Sequence, residues 1–190
     1  VHETGHFFGL PDLYDTDYSS SGLGAWCGMA AGAWNDTQHT PAPYSAWCRA
    51  ALGWAKVDTL DGPVSGYAIP PAALSNTVAR FTYGMPNTSQ YLIAENKISL
   101  GFDAALPGFG LLVFRIDEAV TGNQDERHPK VQLLQADGRA QLERRSGWGD
   151  PGDPFPGTTG KRSLTHETVP STDSYSGSTG IRIVRISDPG

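Results

Sequence analysis

His2-Glu3-Thr4-Gly5-His6 is the segment of this chain whose residue types and spacing could do chemistry. Imidazoles four residues apart share one face of an α-helix and can grip one metal ion. Glu3 lies about 100° around such a helix from His2, so it can flank the metal and reach a bound water. Two imidazoles, a third protein ligand and an open fourth position make a zinc arrangement. The chemistry is hydrolysis by a metal-activated water whose proton Glu3 takes as general base. Gly9 and Asp12 follow at three-residue intervals, so HETGHFFGLPD copies the pattern H-E-x-x-H-x-x-G-x-x-H with Asp in place of the last His. Gly9 lets the chain turn sharply and return position 12 to the metal, where a carboxylate is an accepted zinc ligand. Asp15 and Asp17 compete with Asp12 for that place. D-T-D-Y-S resembles the opening of a calcium loop but lacks the turn Gly and closing Glu of an EF-hand, which leaves a calcium site of another type open. Met29, in Cys27-Gly28-Met29-Ala30, fits the Met-bearing turn that underlies metal sites of this pattern; its alternative is ordinary core packing.

Other residues carry weaker signals. Tyr44 or His39 could donate to an oxyanion in a transition state, against a tyrosine packed at a helix start and a histidine in a polar loop. His128 and His166 read as exposed loop histidines. The aromatic loop from Trp148 to Phe155 reads as a core cap or, alternatively, a ligand contact.

The elements that must position these residues follow from punctuation. The chain has 190 residues with 23 Gly and 14 Pro, so turns are frequent and long helices few. Residues 1–9 read as the end of a helix, stopped by Gly9 and Pro11. A loop over 10–24 leads to a small-residue buried turn over 25–34. Residues 44–52 read as a helix with Pro43 near its first turn and Gly53 as its stop. From about residue 60, strand-length apolar runs alternate with turn residues: SGYAIP, TVARFTY, QYLIAEN, GLLVFRID, KVQLLQAD and GIRIVRI. Their spacing predicts a β-sandwich-like module, interrupted by a turn-rich loop over 146–160. The class is α+β, divided into 1–58 and 59–190. A net charge of −6 without a sizeable basic cluster argues against a nucleic-acid surface, and no apolar run is long enough to span a membrane. Cys27 and Cys48 are the only cysteines and form no C-x-x-C pair, which leaves one disulfide or two buried free thiols.

Assembled, these residues resemble the immune inhibitor A-like secreted zinc metallopeptidases. HETGHFFGLPDLYDTDY is similar to that family's active-site segment, AWCGMAAGAW to its Met-bearing turn, and PAPYSAWCRAALGW to the helix that follows. QYLIAENKISLGFDAALPGFGLLVFRIDE, HPKVQLLQADGRAQLE, GDPGDPFPG and SYSGSTGIRIVRIS are similar to the β-rich stretch beyond the catalytic domain. The resemblance implies a zincin-type fold, zinc on His2, His6 and Asp12, catalysis by Glu3, and Met29 as the supporting turn. It also implies secretion, protein or peptide substrates and calcium sites. The chain departs from the family at Arg115, where His is common, and at both cysteines. The implied packing of the Met turn against the next helix favours a Cys27–Cys48 disulfide. The family's catalytic domain begins well upstream of its zinc helix, whereas this chain opens at Val1. Residues 1–58 are therefore expected to be the C-terminal part of a catalytic domain cut at its N-terminus. Two rival functions follow: a non-catalytic fragment whose β-rich module is structural or docks substrate, and a zinc hydrolase acting on something other than peptides.

Overall fold

The computed structural model describes residues 1–190. The α-helices are two and short, α1 (His2–Phe7) and α2 (Ala46–Ala51), with 3-10 segments between and after them. None is long and apolar enough to cross a membrane. Gly9 (φ +89°) and Gly53 (φ +68°) end the two helices in the left-handed conformation that favours glycine. Ser45 caps α2 by accepting from Cys48 N–H.

Five strands, β1 (Lys56–Leu60), β2 (Thr77–Phe81), β3 (Gln90–Lys97), β4 (Gly110–Asp117) and β5 (Val131–Leu133), form one sheet in sequence order. β1 and β2 pair in parallel and the remaining pairs are antiparallel. β6 (Ser163–Thr165) and β7 (Arg182–Val184) form a separate two-stranded ribbon. The central strands are buried along nearly their whole length because both faces of the sheet are covered, which is why their sequences run almost continuously apolar. Tyr91, Ile93, Leu112, Phe114 and Ile116 point into one core with Trp26, Met29, Trp47 and Cys48. Leu92, Ala94 and Val113 point into the other with Phe155, Leu164 and Ile181.

This arrangement corrects the expected β-sandwich. Only one face of the sheet meets further strands, and those are the short ribbon. The opposite face is taken by the segment that carries the HETGH helix. The 58/59 division falls inside β1, and the first core draws residues from both sides of it. The expected strand at SGYAIP is irregular: its own Pro70 and the following Pro71 withhold ladder donors. β1 and β6 escaped the sequence reading. β1 is an edge strand with little apolar content, and β6 is three residues long. β5 is likewise shorter than KVQLLQAD.

Two polar clamps fix α2 against the sheet. Glu95, on β3 and fully buried, accepts from Ala46 N–H (3.1 Å) and Arg49 Nη2 (2.7 Å) and pairs with Lys97 Nζ (3.1 Å); Lys97 in turn reaches Asp103 at 3.0 Å. Glu118, at the end of β4, accepts from Trp47 Nε1 (2.8 Å), Tyr91 OH (2.6 Å) and Lys130 Nζ (3.0 Å). Arg115 serves a third brace: it donates to Gln132 Oε1 and Ser171 O and lies over the Tyr175 ring, joining β4, β5 and the C-terminal segment.

Candidate metal centre

α1 rests on the Met turn because position 5 has no side chain. Gly5 is buried, and a Cβ there would overlap Met29 Sδ and stand 3.1 Å from the Tyr44 hydroxyl. Met29 is fully buried beneath α1. Gly5→Ala is therefore expected to cost about 1–3 kcal/mol by overpacking, seen as a lowered Tm. An unchanged Tm would show that α1 does not press on Met29.

The loop after α1 is held by its backbone. Leu13 N–H donates to Met29 O (2.8 Å), while Leu13 O accepts from Leu23 N–H (2.9 Å) and from Asn123 Nδ2 (3.1 Å). These bonds fix Asp12 opposite the helix. Asp12 Oδ1 lies 3.0 Å from His2 Nε2 and 3.1 Å from His6 Nε2, and the two rings stand edge to face at 4.8 Å. The other ring nitrogens meet backbone carbonyls: His2 Nδ1 donates to Gly28 O (3.0 Å) and His6 Nδ1 to Leu10 O (2.8 Å). A carbonyl only accepts, so each neutral ring carries its proton on Nδ1 and keeps a lone pair on Nε2. With both rings in this tautomer, two nitrogen lone pairs and a carboxylate oxygen face one point, a donor set that suits a bound cation. The spacings approach the roughly 3.3 Å that tetrahedral zinc with bonds near 2.0–2.1 Å sets between its ligands.

Glu3 makes no hydrogen bond or ion pair and opens onto a cleft of about 850 Å³ that His2, Tyr14, Trp34 and Trp148 also line. Tyr14 is the residue that sequence reading missed. Its ring lies 5.8 Å from that of His2, and burial followed by the charge of Asp12 pushes its hydroxyl pKa up, keeping it a proton donor. Its signal was present: residues two apart in extended chain share a face, so Tyr14 follows Asp12.

The weaker candidates divide between the cleft and other places. Tyr44 OH donates to Val1 O at 2.8 Å, which tethers the start of α1, and Tyr44 does not line the cleft. His39 is exposed and lies outside the cleft. Asp15 is buried, with Oδ1 accepting from Asp17 N–H and Oδ2 from Ser19 Oγ and Ser20 N–H. Burial works to raise its pKa, but these hydrogen bonds outweigh burial and hold the carboxyl below its ordinary value. Asp17 accepts from Ser19 N–H. Both aspartates thus organise the loop. Cys27 and Cys48 are buried neighbours whose sulfurs lie 3.8 Å apart, unbonded in this structure. His128 is tied to Asp117 (2.9 Å) and stacked on Tyr175, so it belongs to the sheet's end. The Trp148–Phe155 loop divides: Phe155 is buried in the second core, and Trp148 stands in the cleft wall.

Among curated proteins none matches the chain. Residues 1–56, which hold α1, Asp12, the Met turn and α2, match the model of the immune inhibitor A peptidase M6 catalytic domain, so this part of the chain is similar to a metallopeptidase catalytic domain.

Proposed function

We propose that the chain carries the metal-binding and proton-transferring residues of a zinc-dependent endopeptidase. His2, His6 and Asp12 would hold the ion, and Glu3 would act as general base. The observation that carries this reading is the convergence of three lone pairs on one point, with both Nδ1 protons anchored on backbone carbonyls. Zinc bound there would supply Lewis-acid polarisation of the scissile carbonyl and a water acidified toward neutral pH. Glu3, free of partners and facing the cleft, is placed to act as the base there, and would hold a proton at its carboxylate for transfer to a leaving amine. Tyr14 offers a hydroxyl on the same wall as a donor to developing negative charge. Trp34 and Trp148 give the cleft the apolar walls that suit peptide side chains. The likeness of residues 1–56 to a peptidase catalytic domain supports peptides over other carbonyl substrates.

The test has two stages. Zinc titrated calorimetrically into the metal-free chain is expected to bind one to one, and a chain that takes up no zinc overturns the proposal. Casein cleavage is then expected to require zinc and to stop with chelator. Zinc bound without turnover would favour the docking role over catalysis.

A further inference from the structure

The cleft that Glu3 faces takes its aromatic lining from two parts of the chain. Tyr18 and Trp34 belong to the residues similar to a peptidase catalytic domain, whereas Trp148 comes from the loop between β5 and β6, far outside them. Each of these three side chains is more than half exposed. Trp26 and Phe155 show the usual fate of large aromatic residues in this fold, which is burial. Three left uncovered along one concave surface make an apolar patch of the kind that a ligand covers.

The backbone beneath these rings is fixed. Ala25 N–H donates to Trp148 O (2.7 Å), Ser21 Oγ to Gly147 O (2.8 Å) and Ser21 N–H to Leu142 O (2.8 Å). Two glycines let the segments come this close: a Cβ on Gly24 would overlap Trp148 O, and one on Gly149 would overlap Trp26 Nε1. Trp148 is thus held by its main chain while its indole stays free. Tyr18 is set in a similar way. It adopts φ +64° and Arg145 φ +51°, and Arg145 Nη1 donates to Tyr18 O at 2.6 Å. Two non-glycine residues in the left-handed region carry a conformational cost that the bonds around them sustain. The Arg145 guanidinium also lies 5.4 Å from the centre of the Tyr18 ring, within cation–π range. Rings presented on fixed backbone lose little freedom when they bind.

The remaining lining residues choose among substrate side chains. Glu3 and Asp15 are the carboxylates of the cleft. Glu3 serves as the proposed base, and both Asp15 oxygens are engaged within their own loop, so neither is set aside for a substrate lysine or arginine. No lysine or arginine lines the cleft to receive an acidic side chain. Ala30, Ala31 and Ala33 contribute only methyl groups, which leaves room for a bulky apolar group beside the rings.

On the peptidase reading of this cleft, on which the inference rests, we propose that Tyr18, Trp34 and Trp148 form an aromatic subsite. It selects peptides that carry phenylalanine, tyrosine or tryptophan close to the scissile bond. Ring-to-ring contact, stacked or edge to face, supplies the attraction. Trp148 is the specificity-determining residue that the β-rich part adds, so the cleft is complete only when both parts of the chain fold together.

Gly-Ala hexapeptides with a single Phe, Asp or further Ala placed at each position in turn test this on the zinc-loaded chain. The best Phe peptide is expected to exceed its Ala and Asp counterparts in kcat/KM by about 10–200-fold, the discrimination an apolar pocket gives. Trp148→Ala should erase about tenfold or more of that preference, chiefly through KM, and Trp148→Phe should restore it. A merely structural Trp148 would weaken all the peptides alike. The exposed indole makes this a substitution the fold tolerates. Calorimetric binding of the same peptides reads the preference without turnover. Phe peptides bound preferentially but left uncleaved would support the subsite and refute catalysis alone. Phe and Ala peptides bound equally, or a preference untouched by Trp148→Ala, would overturn the subsite even if casein is cleaved.

Discussion

Glu3→Gln is expected to lower peptide hydrolysis by about 10²–10⁴-fold, the range that a positioned general base supplies, with zinc still bound at one equivalent. The two halves of that result come from different atoms. The proposed ligand set is His2, His6 and Asp12, whose oxygen and nitrogens meet at 3.0–3.1 Å without help from Glu3. Glu3 faces the cleft with no hydrogen bond or ion pair, so glutamine fills the same space and removes only the basic oxygen. His6→Ala should do the converse and lose the metal together with activity. The pair of variants separates binding from proton transfer: kcat should fall in Glu3→Gln while zinc stoichiometry stays at one. Full turnover in Glu3→Gln would remove Glu3 from the mechanism.

Glu95→Gln is expected to destabilise the chain by about 3–5 kcal/mol, the cost of breaking a buried ion pair from one side. Glu95 has no exposed surface, and its carboxylate answers Arg49, Lys97 and the first amide of α2. Glutamine keeps the shape but leaves Arg49 buried opposite a neutral group. Asp103 still partners Lys97, so the loss falls on the Arg49 side and on α2. For a chain of this size the Tm should fall by roughly 6–20 °C. The pH dependence follows from the direction of the shift. Burial acts to raise the Glu95 pKa, but Lys97 and Arg49 outweigh it and hold the folded value below the ordinary one. Its stabilisation is thus present above the unfolded pKa, near 4.3, and is lost as pH falls through the folded pKa. Urea midpoints from pH 7 downward should show this acid-side loss, and Glu95→Gln should lack it. A variant as stable as the parent at pH 7 would place the stabilisation elsewhere.

Local patterns made much of this legible. HETGH, Gly9 and Asp12 lie within eleven consecutive residues, so spacing alone could forecast that they meet. β3 and β4 stood out because each is a long apolar run between turn residues. Features that depend on distant chain were not legible. The second face of the sheet could have met more strands, and only folding shows that the segment around Met29 covers it. Gly5 occupies a position the metal pattern leaves free, and its need to be glycine comes from a sulfur twenty-four residues away. Asp137, Asp150 and Asp153 each sit in an ordinary aspartate turn in sequence, and their mutual approach appears only when the loop closes. Tyr44 was a fair candidate by type, but its hydroxyl is taken by Val1 O.

The bonds that anchor the first thirty residues bear on the order of folding. Leu13 O is held by Asn123, Ser21 Oγ by Gly147 O and Trp26 by Asp153, at sequence separations of 110, 126 and 127 residues. Such long loops are slow to close. During synthesis α1 emerges before any of these partners exists, so His2 and His6 can form a helical pair early, while Asp12 gains its fixed place late. The three side chains thus reach their full mutual geometry among the last events of folding, after the sheet has assembled beneath the Met turn.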